Sequence, residues 1–185
     1  MSVTLLAKRY AQALFDLAVE NNITEEVAKD MILVKSVLEE SRVLRKVLKN
    51  PVIDAPKKVK VLDSIFGNKI QKLTHRFLQL ITSKGREMYI TFIADAFDEI
   101  YKDAKNILSV KLTTAIKVDE KVKKEILEQL AKITDKTLDI TEKVDESLIG
   151  GFVLNFEDYQ YDDSVKKQLQ RMAKVFSENL YISKI

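Results

Sequence analysis

The chain has 185 residues, 46% of them hydrophobic and 32% charged, which is typical of a soluble globular protein. It contains no cysteine, and this excludes disulfides, thiolate metal sites and cysteine nucleophiles. The net charge of +3 does not by itself indicate a polyanionic partner. No apolar run approaches the roughly 18 residues that a spanning helix needs, and the N-terminus resembles neither a signal sequence nor a transit peptide. We therefore expect a protein of the cytoplasmic side.

The first 105 residues place apolar side chains at helical spacing throughout, and the breaks between them predict six helices. Thr24 is expected to cap the second helix, Pro56 suits the first turn of the fourth, and Gly85 suits a left-handed C-terminal cap of the fifth. A six-helix bundle over residues 1–105 follows. The predicted helices cover about 3–21, 24–40, a short segment ending before 50, a segment from about 56 closed by 67–68, then 69–84 and 87–104.

The spacing changes to strict alternation after the sixth helix, which predicts a strand. Asp119 can cap a helix after it, and two alternating runs within 138–155 predict a hairpin-like pair of strands around a charged turn. A last helix is predicted from about residue 163. The order strand, helix, strand, strand, helix gives a small α+β domain over 106–185, so the fold class is mainly α.

The sequence offers no recognisable catalytic, cofactor or metal site. His75 is the only histidine, with no second histidine or cysteine to complete a ligand set. The Gly150-Gly151 pair lacks the following Lys-Ser/Thr of a phosphate loop, and we interpret it as a bulge or a close backbone approach. Asp158, Asp162 and Asp163 suit helix capping better than a divalent ion, because no acidic loop with a closing glutamate surrounds them.

A basic cluster lies in the first half of the chain. Its members interleave with apolar residues at helical spacing, which favours solvated helix faces. Without aromatic residues in the cluster, nucleic-acid binding is a weaker alternative, and it would show a steep salt dependence. The cluster comprises Arg42, Arg45, Lys46, Lys49, Lys57, Lys58 and Lys60.

Four segments, taken in chain order, resemble the ATP synthase delta subunit family, which includes the mitochondrial oligomycin-sensitivity-conferring protein. The last of them is followed by Asp162-Asp163-Ser164-Val165, which also fits the family. The segments are Ala7 to Phe15, Asn50-Pro51, Gly85-Arg86 and Leu148 to Phe152.

The resemblance implies a non-catalytic stator subunit of a proton-translocating F-type ATP synthase, present once per complex and without a cofactor. Such a subunit lies peripherally at the cytoplasmic face of the bacterial inner membrane and links the catalytic head to the peripheral stalk. It also implies that the first domain receives the N-terminal helix of an alpha subunit between its first and fifth helices. The second domain then meets the b subunits.

The residues that the resemblance assigns to these contacts are apolar and lie on predicted helices. For Leu14 and Leu17 a place in the core is an equally good interpretation. The stripe on the last helix, which includes Val165, Val175 and a tail at 180–182, also suits a core face. A helix-binding adaptor of another assembly stays open as an alternative function. The predicted alpha-subunit contacts are Tyr10, Ala13, Leu14, Leu17, Phe77, Leu80 and Ile81, and the predicted b-subunit contacts are Leu169, Met172 and Phe176.

Overall fold

The computed structural model describes residues 3–116, 136–156 and 159–177. The chain divides into two compact units, Met1–Lys105 and Asn106–Ile185. Each unit has its own cluster of buried apolar side chains. The described fold is mainly helical, with a small mixed sheet of four strands in the second unit.

The first unit consists of helices joined by short turns. Helix α1 packs against α6 through Phe15 and Phe97, whose ring centroids are 6.0 Å apart. An ion pair of 2.6 Å between Lys35 and Asp95 links α2 to α6. The helices are α1 (Val3–Glu20), α2 (Thr24–Glu40), α3 (Arg42–Lys49), α4 (Ala55–Phe66), α5 (Lys72–Ser83) and α6 (Ile90–Ala104), with a 3₁₀ turn at Glu87–Tyr89 before α6.

The cap of α2 and the start of α5 differ from the sequence prediction. Thr24 does not cap α2, because Ile23 occupies the cap position and makes no side-chain cap hydrogen bond. Helix α5 begins at Lys72 rather than 69, and its start is bound by Asp30 of α2. The Gln71 N–H and the Thr74 hydroxyl donate to this carboxylate at 2.7 and 2.8 Å. A cap supplied from another helix leaves no local sequence signal.

The left-handed turn predicted at Gly85 is confirmed. Gly85 has a φ of +66°. The Arg86 N–H donates to the Ile81 carbonyl and the Gly85 N–H to the Thr82 carbonyl, each at 3.0 Å. This pair of hydrogen bonds is the Schellman pattern that ends helices at glycine. The turn fixes the direction in which Arg86 and Glu87 leave α5.

A buried ion pair joins three elements of the first unit. The Lys58 ammonium of α4 contacts the Glu87 carboxylate in the turn after α5, and both side chains are less than a tenth exposed. The same ammonium donates to the Leu48 carbonyl at the end of α3, at 2.9 Å. Buried charges are tolerated when they are paired in this way.

The second unit is a four-stranded sheet in the order β2-β1-β3-β4. Strand β1 pairs in parallel with β2 and antiparallel with β3, and β3 pairs antiparallel with β4. The buried cluster lies on one face of the sheet, formed by Leu108, Val110, Leu112 and Leu154. The elements are β1 (Ile107–Thr114), β2 (Thr137–Val144), β3 (Phe152–Phe156), β4 (Tyr159–Asp162) and α7 (Val165–Ser177), with a 3₁₀ turn at Glu146–Leu148.

The predicted hairpin within 138–155 is wrong. The two strands exist, but β1 lies between them, and β2 is parallel to β1. Alternation identifies a strand without identifying its partner. Strand β4 has no counterpart among the predicted strands. The helix predicted from Asp119 lies outside the described residues.

The glycine pair does mark a close backbone approach. A Cβ on Gly151, whose φ is +74°, would lie 2.2 Å from the Asp163 carbonyl oxygen. Two hydrogen bonds of 3.0 Å run alongside, from the Asp163 N–H to the Phe152 carbonyl and from the Val165 N–H to the Gly150 carbonyl. The pair therefore seats the start of α7 against the sheet.

Removing Glu87 is expected to destabilise the first unit. Glu87→Ala leaves the Lys58 ammonium buried without a counter-charge, at a cost of about 3–5 kcal/mol. The exposed neighbour Lys57, 3.5 Å from Asp54, supplies the matched control. Lys57→Ala is expected to cost less than about 1 kcal/mol. Urea unfolding followed by the helical circular dichroism signal measures both, and equal losses would contradict the role of the buried pair.

Gly151→Ala is expected to destabilise the second unit by about 3 kcal/mol, because the methyl group meets backbone atoms that cannot rotate away. Gly150→Ala is the control, since its methyl group meets only the Val165 side-chain tip at 2.9 Å. That change is expected to cost about 1 kcal/mol. Hydrogen exchange of the β1 amides reports on this unit alone. A smaller loss in Gly151→Ala than in Gly150→Ala would refute the close-approach interpretation.

Candidate functional site

Helix α1 has two different faces. The buried face consists of Ala7, Ala11, Leu14 and Ala18, all at most 2% exposed. Three of these four are alanine, which permits close approach of the neighbouring helices. The flank of this face carries Tyr10, Ala13 and Leu17, and of these Leu17 is 44% exposed. The apolar arc of α1 is thus wider than its buried face, which leaves apolar surface for an external neighbour.

A groove of about 350 Å³ runs along the outer side of α1. We call it the α1 groove. Arg86, the residue after Gly85, forms the wall of the groove that α1 does not supply. The lining residues are Leu6, Arg9, Tyr10, Ala13 and Arg86.

Tyr10 is the contact point between α1, α5 and the turn after α5. Its ring meets Phe77 of α5 edge-on, with centroids 6.5 Å apart and planes at 65°. The Arg86 guanidinium lies 5.4 Å from the centroid of the Tyr10 ring and donates a hydrogen bond to its hydroxyl. A cation over an aromatic face and an edge-on ring pair both hold the ring in place. The groove therefore has a fixed aromatic floor.

The structure divides the predicted alpha-subunit contacts into two groups. Leu14 and Ile81 are 0% exposed and Phe77 is 8% exposed, so they belong to the core of the first unit. Their assignment to a contact surface is corrected, because a partner cannot reach a side chain that the protein's own helices enclose. The other four predicted contacts remain at least partly exposed, and Leu80 among them is 48% exposed. They are Tyr10, Ala13, Leu17 and Leu80.

Sequence reasoning missed the charged wall of this groove. Arg9 and Arg86 line it together with Leu6. Arg86 stood within one of the four family-like segments, but only the Schellman turn brings it back to α1. The available signal was its position directly after a capping glycine.

Helix α7 carries an exposed apolar stripe. Leu169, Met172 and Val175 are 52%, 57% and 66% exposed, at spacings of three residues along one side. Val165 is half-buried over the glycine pair. The side chain of Phe176 and the tail at 180–182 lie outside the described residues. The stripe is thus a surface, and its use by a partner stays a prediction.

The acidic residues before α7 serve the helix start, with one correction. Ser164 caps α7, since its hydroxyl oxygen accepts from the Lys167 N–H at 3.2 Å. Asp162 instead accepts from the Ser164 N–H at 3.0 Å, and Asp163 accepts from the Gln168 amide at 3.1 Å. Asp158 lies outside the described residues. Hydrogen bonding to Ser164, assisted by Lys167, lowers the pKa of Asp162 below its usual value.

His75 has a structural partner. Its Nε2 atom lies 2.8 Å from the Asp63 carboxylate, which joins α5 to α4. The same carboxylate accepts from the Gln79 amide at 3.1 Å. The described residues contain no group of three or more histidine and acidic side chains placed to hold a metal ion.

An apolar groove on one unit and an exposed apolar helix stripe on the other are candidate protein-binding surfaces. No described helix combines the length and hydropathy that crossing a bilayer requires.

Comparison with known proteins identifies the family. Residues 6–176 match the family model of the ATP synthase delta (OSCP) subunit. The chain is 34% identical to the ATP synthase subunit delta of Cytophaga hutchinsonii, over 97% of this chain and 98% of that one. It is 35% identical to the subunit delta of Desulforudis audaxviator, over 94% and 95%.

A solved structure is also similar. A chain in the cryo-EM structure of the Toxoplasma gondii mitochondrial ATP synthase hexamer matches with a TM-score of 0.75 and 26% identity. The match covers 95% of this chain and 99% of that chain. The chain belongs to the ATP synthase delta (OSCP) subunit family, whose members are non-catalytic subunits of the complex.

The lowered pKa of Asp162 predicts an acid-sensitive start of α7. The stabilisation is present above the pKa of an unfolded aspartate, about 4, and is lost as the pH falls through the lower folded value. Carbon-13 titration of the carboxyl group, with hydrogen exchange at the Lys167 amide, measures both effects. Asp162→Asn should abolish the pH dependence of the protection factor at that amide, and Asp163→Asn should preserve it. An ordinary titration of Asp162 would refute the prediction.

Proposed function

We propose that the α1 groove binds an amphipathic helix at the N-terminus of the ATP synthase alpha subunit. The protein is a non-catalytic subunit of the peripheral stalk, as its family membership shows. The single observation that carries the proposal is the groove itself, with Tyr10 held at its floor by Phe77 and Arg86.

The chemistry of the groove suits a helix rather than a small molecule. Ala13 allows a partner backbone to approach closely, and Leu17 and Leu80 provide exposed apolar surface nearby. Arg9 and Arg86 add positive charge at its wall. A helix that docks here needs an apolar stripe, and carboxylates at its margin would add favourable contacts.

The energetics allow useful affinity. A helix that buries about five large apolar side chains gains roughly 8–15 kcal/mol, against an association cost of about 4–15 kcal/mol. One such contact alone is marginal under mechanical load. A stator that resists torque stays bound longer through several contacts in parallel. Once one contact has formed, its linked neighbour binds at a raised effective concentration.

The second contact of the proposal is α7. The exposed stripe of Leu169, Met172 and Val175 supports its assignment to the b subunits. Phe176 extends that assignment by position in the sequence. In this arrangement residues 1–105 bind the catalytic head, and residues 106–185 bind the stalk.

The bacterial relatives support a location at the cytoplasmic face of the bacterial inner membrane. There the chain is peripheral, one copy per complex, and reaches the membrane sector through the b subunits.

Titration of the full chain with the N-terminal peptide of the cognate alpha subunit tests the proposal. Calorimetry is expected to show one-to-one binding that Tyr10→Asp with Ala13→Asp weakens at least about a hundredfold, because two carboxylates enter an apolar contact. Thr4→Asp with Val19→Asp is the control, since it adds the same charge at exposed positions of α1 that do not line the groove.

The control should bind as tightly as the unmodified chain. Equal binding by all three proteins would refute the α1 groove as the site. No binding by the folded, unmodified chain would leave a helix-binding adaptor of another assembly as the better hypothesis.

A further inference from the structure

We propose that the first unit has a second docking surface, the α3 groove, which binds an amphipathic helix carrying carboxylates. Two adjoining depressions of about 490 and 220 Å³ form it, and they share Arg45 and Lys49. It lies between α3, the end of α2 and the turn before α6. No residue that lines it also lines the α1 groove.

The basic cluster of the sequence separates into different roles in the structure. Lys58 is buried with Glu87, and Lys57 pairs with Asp54. Arg42, Lys46 and Lys49 are exposed on α3 at spacings of four and three residues, and all three line the larger depression. None of them forms an ion pair with a carboxylate in the described part of the chain. These three cations share one side of the helix.

Arg45 is held in a fixed position at the junction of the two depressions. Its guanidinium donates to the Leu38 carbonyl at 2.7 Å and to the Glu39 carbonyl, both at the C-terminal end of α2. Those carbonyls have no partner within their own helix. Arg45 thus completes α2 and forms a rigid wall of the groove.

The smaller depression provides the apolar part of the groove. Met88 and Phe92 are 47% and 53% exposed, and both line it. Leu38 and Leu48, at most 3% exposed, form its floor. Met88 and Phe92 therefore place exposed apolar surface directly beside cations that have no carboxylate partner among the described residues.

The cations and the apolar floor together indicate which kind of ligand the α3 groove binds. The cations attract carboxylates, and the concave aliphatic floor accommodates apolar side chains. Both groups belong to one ligand if they lie one or two helical turns apart on the same helix. A nucleic acid would use the cations equally, but it prefers flat, open aromatic faces for its bases. Phe92 lies instead in a depression floored by leucine. An acidic amphipathic helix satisfies both halves of the groove.

Fluorescence anisotropy of the full chain tests the proposal with a designed peptide of about 18 residues, roughly five turns. The peptide carries leucine on one side and glutamate on the flanking positions. A second peptide replaces each glutamate by lysine, and oligodeoxythymidine serves as the polyanion probe. The test variant is Arg42→Glu, Lys46→Glu, Lys49→Glu, and the matched control is Lys60→Glu, Lys72→Glu, Lys84→Glu, which reverses three exposed charges outside the groove.

In the Tyr10→Asp, Ala13→Asp background, which removes the α1 groove as a competing site, the acidic peptide is expected to bind one-to-one. The test variant should weaken it by about tenfold or more, because three attractive pairs become repulsive, and should bind the lysine peptide instead. The control should change either affinity by less than about threefold. Phe92→Ser should weaken the acidic peptide without changing the slope of its salt dependence, since it removes the apolar contact and adds no charge beside the cations.

Three results would overturn the proposal. Equal weakening by the test and control variants would mean attraction to overall charge. Loss of binding in Tyr10→Asp with Ala13→Asp would place the peptide in the α1 groove, so failure here is separable from failure of the proposed alpha-subunit contact. Tighter binding of oligodeoxythymidine, with displacement of the peptide, would identify a nucleic-acid surface.

Discussion

The end of α5 determines how the surfaces of the helical unit are built. A left-handed residue at Gly85 reverses the chain within one turn, and the next two residues then point to different places. Arg86 reaches outward over Tyr10, whereas Glu87 reaches inward to Lys58. A side chain with a Cβ at this φ is strained, so glycine is the natural residue. One turn therefore links the outer wall of the α1 groove to the buried ion pair that joins α3 and α4.

Both proposed docking surfaces are built on rigid parts of the first unit. In the α1 groove an aromatic ring is fixed by two neighbours, and in the α3 groove an arginine is fixed by the last carbonyls of α2. Surfaces that are ordered before binding lose less conformational entropy when a partner arrives. This property suits a stator, because a partner that must stay bound under load gains more from a slow dissociation rate than from a fast association rate.

Local patterns predicted most helix bounds and the glycine turn, because periodicity and capping act within a few residues. They could not divide α1 correctly, since its apolar positions form one continuous broad arc, and only packing shows that Leu14 is enclosed while Leu17 is not. The Asp30 cap of α5 and the Arg86 contact with Tyr10 connect residues more than 40 positions apart. Strand pairing failed for the same reason: alternation predicted β2 and β3 but not that β1 separates them. The proposal that the α1 groove binds the alpha subunit came from the family resemblance, and periodicity alone would not have located it.

The sheet order has a consequence for the synthesis of this protein. Strand β1 is central, yet both of its neighbours follow it in the chain, so it leaves the ribosome with two unpaired edges. One edge of β1 stays unpaired until residue 156 has been made. Unpaired edges with apolar faces are the usual starting points of misassociation. The nascent second unit is therefore most vulnerable between the synthesis of β1 and that of β3, and chaperone contact over this interval would protect the yield of assembled complex.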